Sequence, residues 1–210
     1  MPLSPAQGLP PPVPAPSWIF GYGSLIWRPD FPSLARQPAV LSGYRRAFCR
    51  YSLHHRGTPE RPGLVIGLRE GGRCVGMAYA VAAADEAAVL ACLDEREGTG
   101  YLRRRLPVTL LPPGAPHAPE EARAAPTGCS AGGASVPAWV YVPNPEHPSF
   151  FGEQDPQRLV ELVASGRGAS GSALDYLRDL VAHLAELGVH EPALTSVLEA
   201  AQRLAAQSRV

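Results

Sequence analysis

Short apolar runs that end at glycine, proline or polar residues fill most of the chain up to Val142, and amphipathic repeats follow. The runs predict strands at Trp18–Gly21, Ala39–Leu41, Arg45–Tyr51, Leu64–Leu68, Cys74–Val81, Leu106–Leu111 and Ala138–Val142. Apolar residues at spacings of three and four predict helices at Glu86–Glu97, Pro156–Ser165, Ser172–Leu187 and Pro192–Ala206. Strands first and helices last favour an α+β fold with a mainly antiparallel sheet or small barrel.

Proline and glycine mark the segments between these elements. Residues 1–16 carry prolines at seven positions and no apolar period, which predicts a disordered or polyproline tail, with an SH3-type ligand motif as the alternative. Residues 112–137 have no pattern and predict a flexible surface insertion. Gly71-Gly72 stands between two predicted strands and suits a mirror-image hairpin turn. Residues 17–210 are expected to form a single domain.

Composition excludes several classes of partner. The formal net charge is zero, so no electrostatic attraction to nucleic acid or an anionic membrane is expected. No apolar run is long enough to span a bilayer and no secretion signal is apparent, so a cytoplasmic location is the expectation. The four cysteines lack Cys-x-x-Cys spacing and are interpreted as reduced thiols. We expect no metal site and no cofactor, and the sequence defines no oligomeric state.

One candidate binding segment is the turn that follows the first predicted strand, Gly21-Tyr-Gly-Ser-Leu-Ile26. Two glycines around an aromatic residue permit backbone angles that a Cβ would forbid, so successive N–H groups can converge on an anion. Ser24 adds a further donor. The alternative is an ordinary tight turn. The segment is neither a dinucleotide-binding motif nor a phosphate loop, because a third glycine and a Gly-Lys-Ser/Thr ending are both absent.

A candidate acid lies at the end of the first predicted helix. Glu97 shares a stripe with Leu90 and Leu93, whereas Glu95 points to the opposite side. Burial and the helix dipole would both raise the pKa of a carboxyl group in this position, which would make it a better proton acceptor near neutral pH. The alternative is a solvated charge run that ends the helix. No Ser-His-Asp or Cys-His arrangement competes with Glu97.

Several ordered motifs resemble the ChaC family. They span about Trp18 to Gly188 and are Phe20-Gly-Tyr-Gly-Ser-Leu-Ile-Trp27 with Pro29-Asp-Phe-Pro32, Gly43-Tyr-Arg-Arg46, Arg56-Gly-Thr-Pro-Glu-Arg-Pro-Gly63, Arg96-Glu97 before Gly100-Tyr101, Tyr141-Val142, and Gly171-x-x-x-Asp-Tyr-Leu177. The resemblance implies a γ-glutamylcyclotransferase-like fold, a small mainly antiparallel β-barrel with flanking helices. It also implies an enzyme that converts glutathione to 5-oxoproline and cysteinylglycine without a cofactor.

The resemblance also implies roles for particular residues. The catalytic glutamate corresponds to Glu97, and the substrate-binding turn corresponds to Gly21, Tyr22, Gly23, Ser24, Leu25 and Ile26. Arg56 is either a contact for the glycine carboxylate of glutathione or part of a structural salt bridge, and Tyr101 either supports the site or belongs to the core. Many members have an asparagine in the segment Gly171–Leu174, and this chain has none.

Two alternatives to glutathione cleavage remain open. The enzyme could act on other γ-glutamyl amides or dipeptides. The absence of the asparagine favours this alternative, because the loss of its contact could alter substrate choice. The protein could also be a non-catalytic γ-glutamyl or peptide-binding module. A buried acid beside an anionic ligand disfavours this module, because the two negative charges repel each other.

Overall fold

A computed structural model describes residues 14–112, 133–152 and 155–207. Its main feature is a closed barrel with strand order β1-β3-β2-β4-β5. The strands are β1 (Ser17–Gly21), β2 (Ala35–Ser52), β3 (Gly63–Val81), β4 (Tyr101–Leu110) and β5 (Ser135–Pro143). β1 and β5 pair in parallel, and the other pairs in the barrel are antiparallel. The predicted small, mainly antiparallel barrel is therefore confirmed.

The predicted hairpin turn at Gly71-Gly72 is wrong. These glycines lie inside β3, which pairs with β2 on both sides of them, Ser42 with Arg73 and Tyr44 with Glu70. The pairing register shifts between those two pairs. Gly71 and Gly72 have φ values of 90° and 79°, and Gly43 opposite them has a φ of 83°. Positive φ angles serve a bulge as well as a hairpin turn, so the glycine pair alone could not distinguish the two.

The helices agree with the sequence pattern within two residues at each end. They are α1 (Glu86–Glu97), α2 (Pro156–Ser165), α3 (Ala173–Glu186) and α4 (Pro192–Gln207), and a two-stranded pair, β6 (Arg167–Gly168) and β7 (Gly171–Ser172), precedes α3. Local chemistry explains two of the starts: the Asp155 side chain accepts from the Gln157 N–H, and the Ser172 side chain accepts from the Asp175 N–H. α1 ends at Gly98, whose φ is 61°.

The C-terminal helices share one apolar core with the barrel. Leu177 and Leu180 of α3 are completely buried, and they belong to the same cluster as Phe20, Leu64 and Leu41 of the barrel. Burial of each such leucine side chain contributes roughly 1.5–3 kcal/mol. This packing holds the start of α3 against the end of the barrel where the turn after β1 lies.

The predicted tail and insertion fall mostly on residues 1–13 and 113–132, which lie outside the described residues. β5 begins at Ser135, so the last three residues assigned to the insertion belong to the sheet instead. None of the helices in the described ranges is long and apolar enough to cross a bilayer.

Candidate active site

The turn after β1 presents unused backbone donors. A short 3₁₀ turn spans Ser24–Ile26, and the Ile26 N–H donates to the Gly23 carbonyl at 3.0 Å. The N–H groups of Gly23, Ser24 and Leu25 donate to no protein acceptor among the described residues. Adjacent free N–H groups at a helix start can bind an anion.

Space is one reason for glycine in this turn, and a positive φ is not. Neither Gly21 nor Gly23 has a positive φ, and that of Gly23 is −118°. A Cβ on Gly21 would lie 2.6 Å from the Cβ of Leu25, and one on Gly23 would lie 3.2 Å from the hydroxyl oxygen of Tyr176. The chain passes too close to Leu25 for a side chain at Gly21, and a side chain at Gly23 would require the Tyr176 hydroxyl to shift.

The other residues of the turn have their side chains in the core. The Tyr22 hydroxyl donates to the Tyr141 carbonyl at 2.6 Å, and Leu25 and Ile26 are 7% and 5% exposed. A cavity opens beside this turn, and Ser24 is the one of the six predicted binding residues that lines it. Any contact from Gly21, Tyr22, Gly23, Leu25 or Ile26 to a ligand must therefore come from the backbone or be indirect.

Glu97 is the last residue of α1 and lines the same cavity as Ser24. The predicted stripe is confirmed, since Leu90 and Leu93 are buried, the Glu97 side chain is 18% exposed, and Glu95 is exposed. Loss of hydration raises the pKa of the Glu97 carboxyl above its ordinary value, and the nearby cations Arg96 and Arg50 offset only part of this rise. The acid thus combines access from the cavity with a raised proton affinity.

Arg96 connects the acid to the turn. Its Nη2 donates to the Ser24 hydroxyl at 2.9 Å, and its Nε lies 3.7 Å from Oε1 of Glu97. Its Nη1 donates to the Arg28 carbonyl at 2.9 Å and to Asp30 at 3.2 Å. One guanidinium therefore fixes the end of α1 relative to the segment that follows β1.

The cavity has a volume of about 540 Å³ and an excess of positive charge. Four arginines line it against two carboxylates, and the cationic residues are Arg28, Arg50, Arg56 and Arg96, the acidic ones Asp30 and Glu97. Three histidines, His54, His55 and His147, also line it. Such a balance suits a ligand that carries more than one carboxylate.

Arg56 has no carboxylate partner among the described residues. Its Nη1 donates to the Ser170 carbonyl at 2.6 Å, and its guanidinium carbon lies 5.5 Å from the centre of the Tyr176 ring. The structural salt bridge considered from the sequence is therefore not formed. The contacts to a carbonyl and an aromatic ring hold Arg56 at the cavity wall with its positive charge unneutralised.

Two tyrosines line the cavity together with the acid. Tyr101 is one of them, and the Arg50 guanidinium carbon lies 4.1 Å from its ring centre. Tyr176 is the other, and burial raises the pKa of its hydroxyl, as does the nearby Glu97. We expect both phenols to stay protonated and to act as hydrogen-bond donors near neutral pH.

Sequence reasoning assigned no role to Tyr176 or Arg50. The only sequence signal for Tyr176 is its place in the Asp-Tyr-Leu177 motif, because its spacing along α3 is that of a core residue. Arg50 lies in a strand with many arginines, and only the barrel geometry brings it to the end of α1, where Nη1 donates to the Glu97 carbonyl at 3.3 Å.

Ala173 occupies the position where the family resemblance implies an asparagine. Ala173, the first residue of α3, is completely buried beside Gly63, and Ser172 alone caps the helix.

No group of three or more His, Cys, Asp or Glu side chains within the described ranges is arranged to hold a metal ion. His54 and His55 contact each other edge to face, with ring centres 5.0 Å apart.

Fold and site together define a small closed-barrel protein whose cavity places an acid of raised pKa beside a glycine turn. The family model of ChaC-like proteins matches residues 17–204, and the chain belongs to this family. A glutathione-specific γ-glutamylcyclotransferase of Escherichia coli strain K12 is 32% identical over 198 residues, which cover 92% of this chain and 76% of the relative. A protein of the same name from Schizosaccharomyces pombe is 31% identical over 191 residues, which cover 81% and 83%.

Structural comparison shows a shared fold. The crystal structure of a yeast γ-glutamylcyclotransferase specific to glutathione has a TM-score of 0.76 at 24% identity, covering 90% of this chain and 97% of that one. The two proteins therefore share a fold over nearly their whole length.

Proposed function

We propose that this protein is a γ-glutamylcyclotransferase, a lyase that converts glutathione to 5-oxoproline and cysteinylglycine. The observation that carries the proposal is the presence of Glu97 and Ser24 in one cavity, since Ser24 belongs to the turn after β1 whose N–H groups at residues 23–25 donate to no described acceptor. The membership of the ChaC-like family and the names of its relatives in bacteria and yeasts support glutathione as the substrate.

The reaction is an intramolecular displacement. The α-amine of the γ-glutamyl group attacks its own γ-carbonyl carbon, a lactam C–N bond forms, and the amide bond to cysteine breaks. Nucleophile and electrophile belong to one molecule, so the enzyme mainly has to fold the substrate into a reactive conformation. Formation of one C–N bond and cleavage of the other require proton transfer between the two nitrogens, which matches a cavity that contains an acid of raised pKa.

Glu97 is proposed as the proton carrier. The substrate ammonium must lose two protons to become the lactam nitrogen, and the cysteine nitrogen gains two protons to leave as an ammonium. A carboxylate placed between the two nitrogens can take each proton from the first and give it to the second. Because its pKa is raised, Glu97 accepts these protons more readily than an exposed glutamate would.

The turn is proposed to hold the γ-glutamyl end of the substrate. Free N–H groups of Gly23, Ser24 and Leu25 and the Ser24 hydroxyl would bind its α-carboxylate. The hydroxyls of Tyr101 and Tyr176, which line the same cavity, are proposed to donate to the oxyanion that develops on the γ-carbonyl. Arg56 is proposed to contact the glycine carboxylate, which its unneutralised charge supports.

A second substrate class has a specific observation in its favour. Ala173 is fully buried in the segment where the family resemblance implies an asparagine, and loss of that amide would be a reason for a preference for other γ-glutamyl amides. We further propose a cytoplasmic location, which the free thiols of the buried residues Cys49 and Cys74 support.

The direct test is incubation of the purified protein with glutathione, followed by chromatographic detection of 5-oxoproline. Parallel incubations with γ-glutamyl-alanine and γ-glutamyl-lysine separate the two substrate classes. We expect 5-oxoproline from glutathione at the highest rate. A higher rate with either dipeptide would favour the second class, and binding without any product would favour a non-catalytic γ-glutamyl-binding protein.

A further inference from the structure

A buried arginine outside the cavity holds the backbone of the candidate binding turn. Arg46 lies in β2, and its side chain is 0% exposed. Its Nε donates to the Tyr22 carbonyl at 2.8 Å, and its Nη2 donates to the Val75 carbonyl in β3. Its Nη1 donates to Oε1 of Glu191 at 2.5 Å. One guanidinium thus joins the barrel, the turn and the start of the last helix.

The contact with Tyr22 has a geometric consequence for the next N–H group. In a trans peptide the carbonyl and the N–H of one unit point in opposite directions. The hydrogen bond from Arg46 therefore turns the Gly23 N–H away from Arg46. That N–H donates to no described protein group, and it directly precedes Ser24, which lines the cavity.

Glu191 is the counterion that keeps Arg46 in place. It lies on the connection between α3 and α4, and its side chain is 19% exposed. Its backbone carbonyl accepts from the N–H groups of Leu194 and Thr195, so Glu191 also caps the N-terminus of α4. Neither Arg46 nor Glu191 lines the cavity.

We propose that Arg46 and Glu191 form a positioning pair that orients the Tyr22–Gly23 peptide and so sets the affinity for the γ-glutamyl carboxylate. This inference rests on the proposed function of the turn. Removal of the Glu191 carboxylate leaves a buried guanidinium without its counterion, which forces Arg46 to rearrange or to admit water. The Tyr22 carbonyl then loses its fixed donor, and the Gly23 N–H loses its fixed direction.

The test compares Glu191→Gln with Glu199→Gln, a substitution in α4 at an exposed carboxylate that lies 4.0 Å from Arg203. Steady-state kinetics with glutathione give KM and kcat, and calorimetry on the same substitutions in a Glu97→Gln background gives the Kd for glutathione. We expect Glu191→Gln to raise KM and Kd about tenfold, because Arg46 loses its counterion and the Gly23 N–H then loses its fixed direction toward the carboxylate. We expect kcat to change less than about twofold and Glu199→Gln to match the parent.

A purely structural pair would give a different pattern. Glu191→Gln would then lower the folded fraction, so the apparent kcat would fall while KM and Kd kept their parent values, and this result overturns the proposal. Glu191→Asp keeps the charge, and we expect it to recover part of the affinity.

If Glu191→Gln does not fold, Arg46→Lys replaces it. Lysine keeps the positive charge but lacks the planar fork that serves three acceptors, so we again expect a raised Kd. A folded Arg46→Lys protein with the parent Kd contradicts the proposal. Absence of 5-oxoproline with the unsubstituted protein would instead contradict the proposed function, and the Kd comparison would still decide the role of the pair.

Discussion

The Arg96 guanidinium donates a hydrogen bond of 2.9 Å to the Ser24 hydroxyl, which ties the helix that ends at the acid to the turn that follows the first strand. The same guanidinium approaches the acid, with its Nε 3.7 Å from a Glu97 oxygen. Arg96 therefore has two effects, since it fixes a distance within the site and lowers the proton affinity of Glu97.

Replacement of Arg96 by methionine should shift the pH dependence of activity. Loss of the cation removes one of the two arginines that offset the raised pKa of Glu97, so this pKa should rise further. Because the base works in its deprotonated form, the acidic limb of kcat/KM should move to higher pH. The measurement is a pH–rate profile with glutathione, with Arg203→Met in α4 as the control. An acidic limb that stays in place would exclude a charge effect of Arg96 on the base.

The two glycines of the turn should respond differently to alanine. At Gly21 the new Cβ meets the Leu25 Cβ at 2.6 Å, so the backbone must shift, and we expect a loss of stability of about 1–3 kcal/mol together with most of the activity. At Gly23 the nearest atom is the Tyr176 hydroxyl oxygen at 3.2 Å, on a side chain that can move. Gly23→Ala should therefore keep its stability and lose substrate affinity. Chemical denaturation and KM measure the two effects, and equal stability losses at both positions would contradict the distinction.

Arg56→Ala should weaken substrate binding more than catalysis. If Arg56 contacts the glycine carboxylate, its loss removes a charge-assisted hydrogen bond, and KM should rise about tenfold with kcat nearly kept. Glutathione with its glycine carboxylate converted to an amide is the matched control, because it lacks the group that Arg56 would bind. An equal rise of KM for both substrates would assign Arg56 to the anchoring of Ser170 and not to the substrate.

Much of the fold follows from local pattern. The end of α1 follows from Gly98, and the starts of α2 and α4 follow from proline at the first helical position. Gly71-Gly72 was misassigned because a bulge and a hairpin turn use the same backbone angles. Only the partner strand β2, which continues past the bulge, separates the two cases.

The site was only partly predictable from the sequence. The position of Glu97 on a buried stripe could be recognised, since helical periodicity is a local property. Arg46, Arg50 and Tyr176 could not be recognised, because their contacts join residues far apart in sequence: Arg46 with Glu191, Arg50 with Glu97, and Tyr176 with Gly23. The need for glycine in the turn was foreseen, but its cause is close packing against Leu25 and Tyr176 and not a positive φ.

Removal of the Glu97 charge should stabilise the fold at neutral and alkaline pH. A raised pKa means that the folded protein holds this proton more tightly than the unfolded chain does. The resulting stabilisation is complete below the unfolded pKa and is lost as the pH rises through the folded pKa. At pH 8 the parent protein therefore contains a poorly hydrated carboxylate that Glu97→Gln lacks, and we expect the variant to have the higher Tm.

The same reasoning defines the control for that comparison. The Tm difference should narrow as the pH falls, because the parent then carries a neutral carboxyl group in both states. Glu95→Gln removes an exposed carboxylate two residues away on the opposite side of α1 and should leave the Tm nearly unchanged at both pH values. A Tm of Glu97→Gln below that of the parent at pH 8 would mean that the Glu97 charge is well solvated or fully compensated.

The release of 5-oxoproline from glutathione by the unsubstituted protein and by Glu97→Gln tests the account most directly. Glutamine is nearly isosteric with glutamate but cannot accept the proton, so we expect the unsubstituted protein to form 5-oxoproline and cysteinylglycine in equal amounts. We expect the variant, folded and still able to bind glutathione, to lose at least about a hundredfold in rate. Turnover by Glu97→Gln at a rate near that of the unsubstituted protein would contradict the role of Glu97 as the proton carrier.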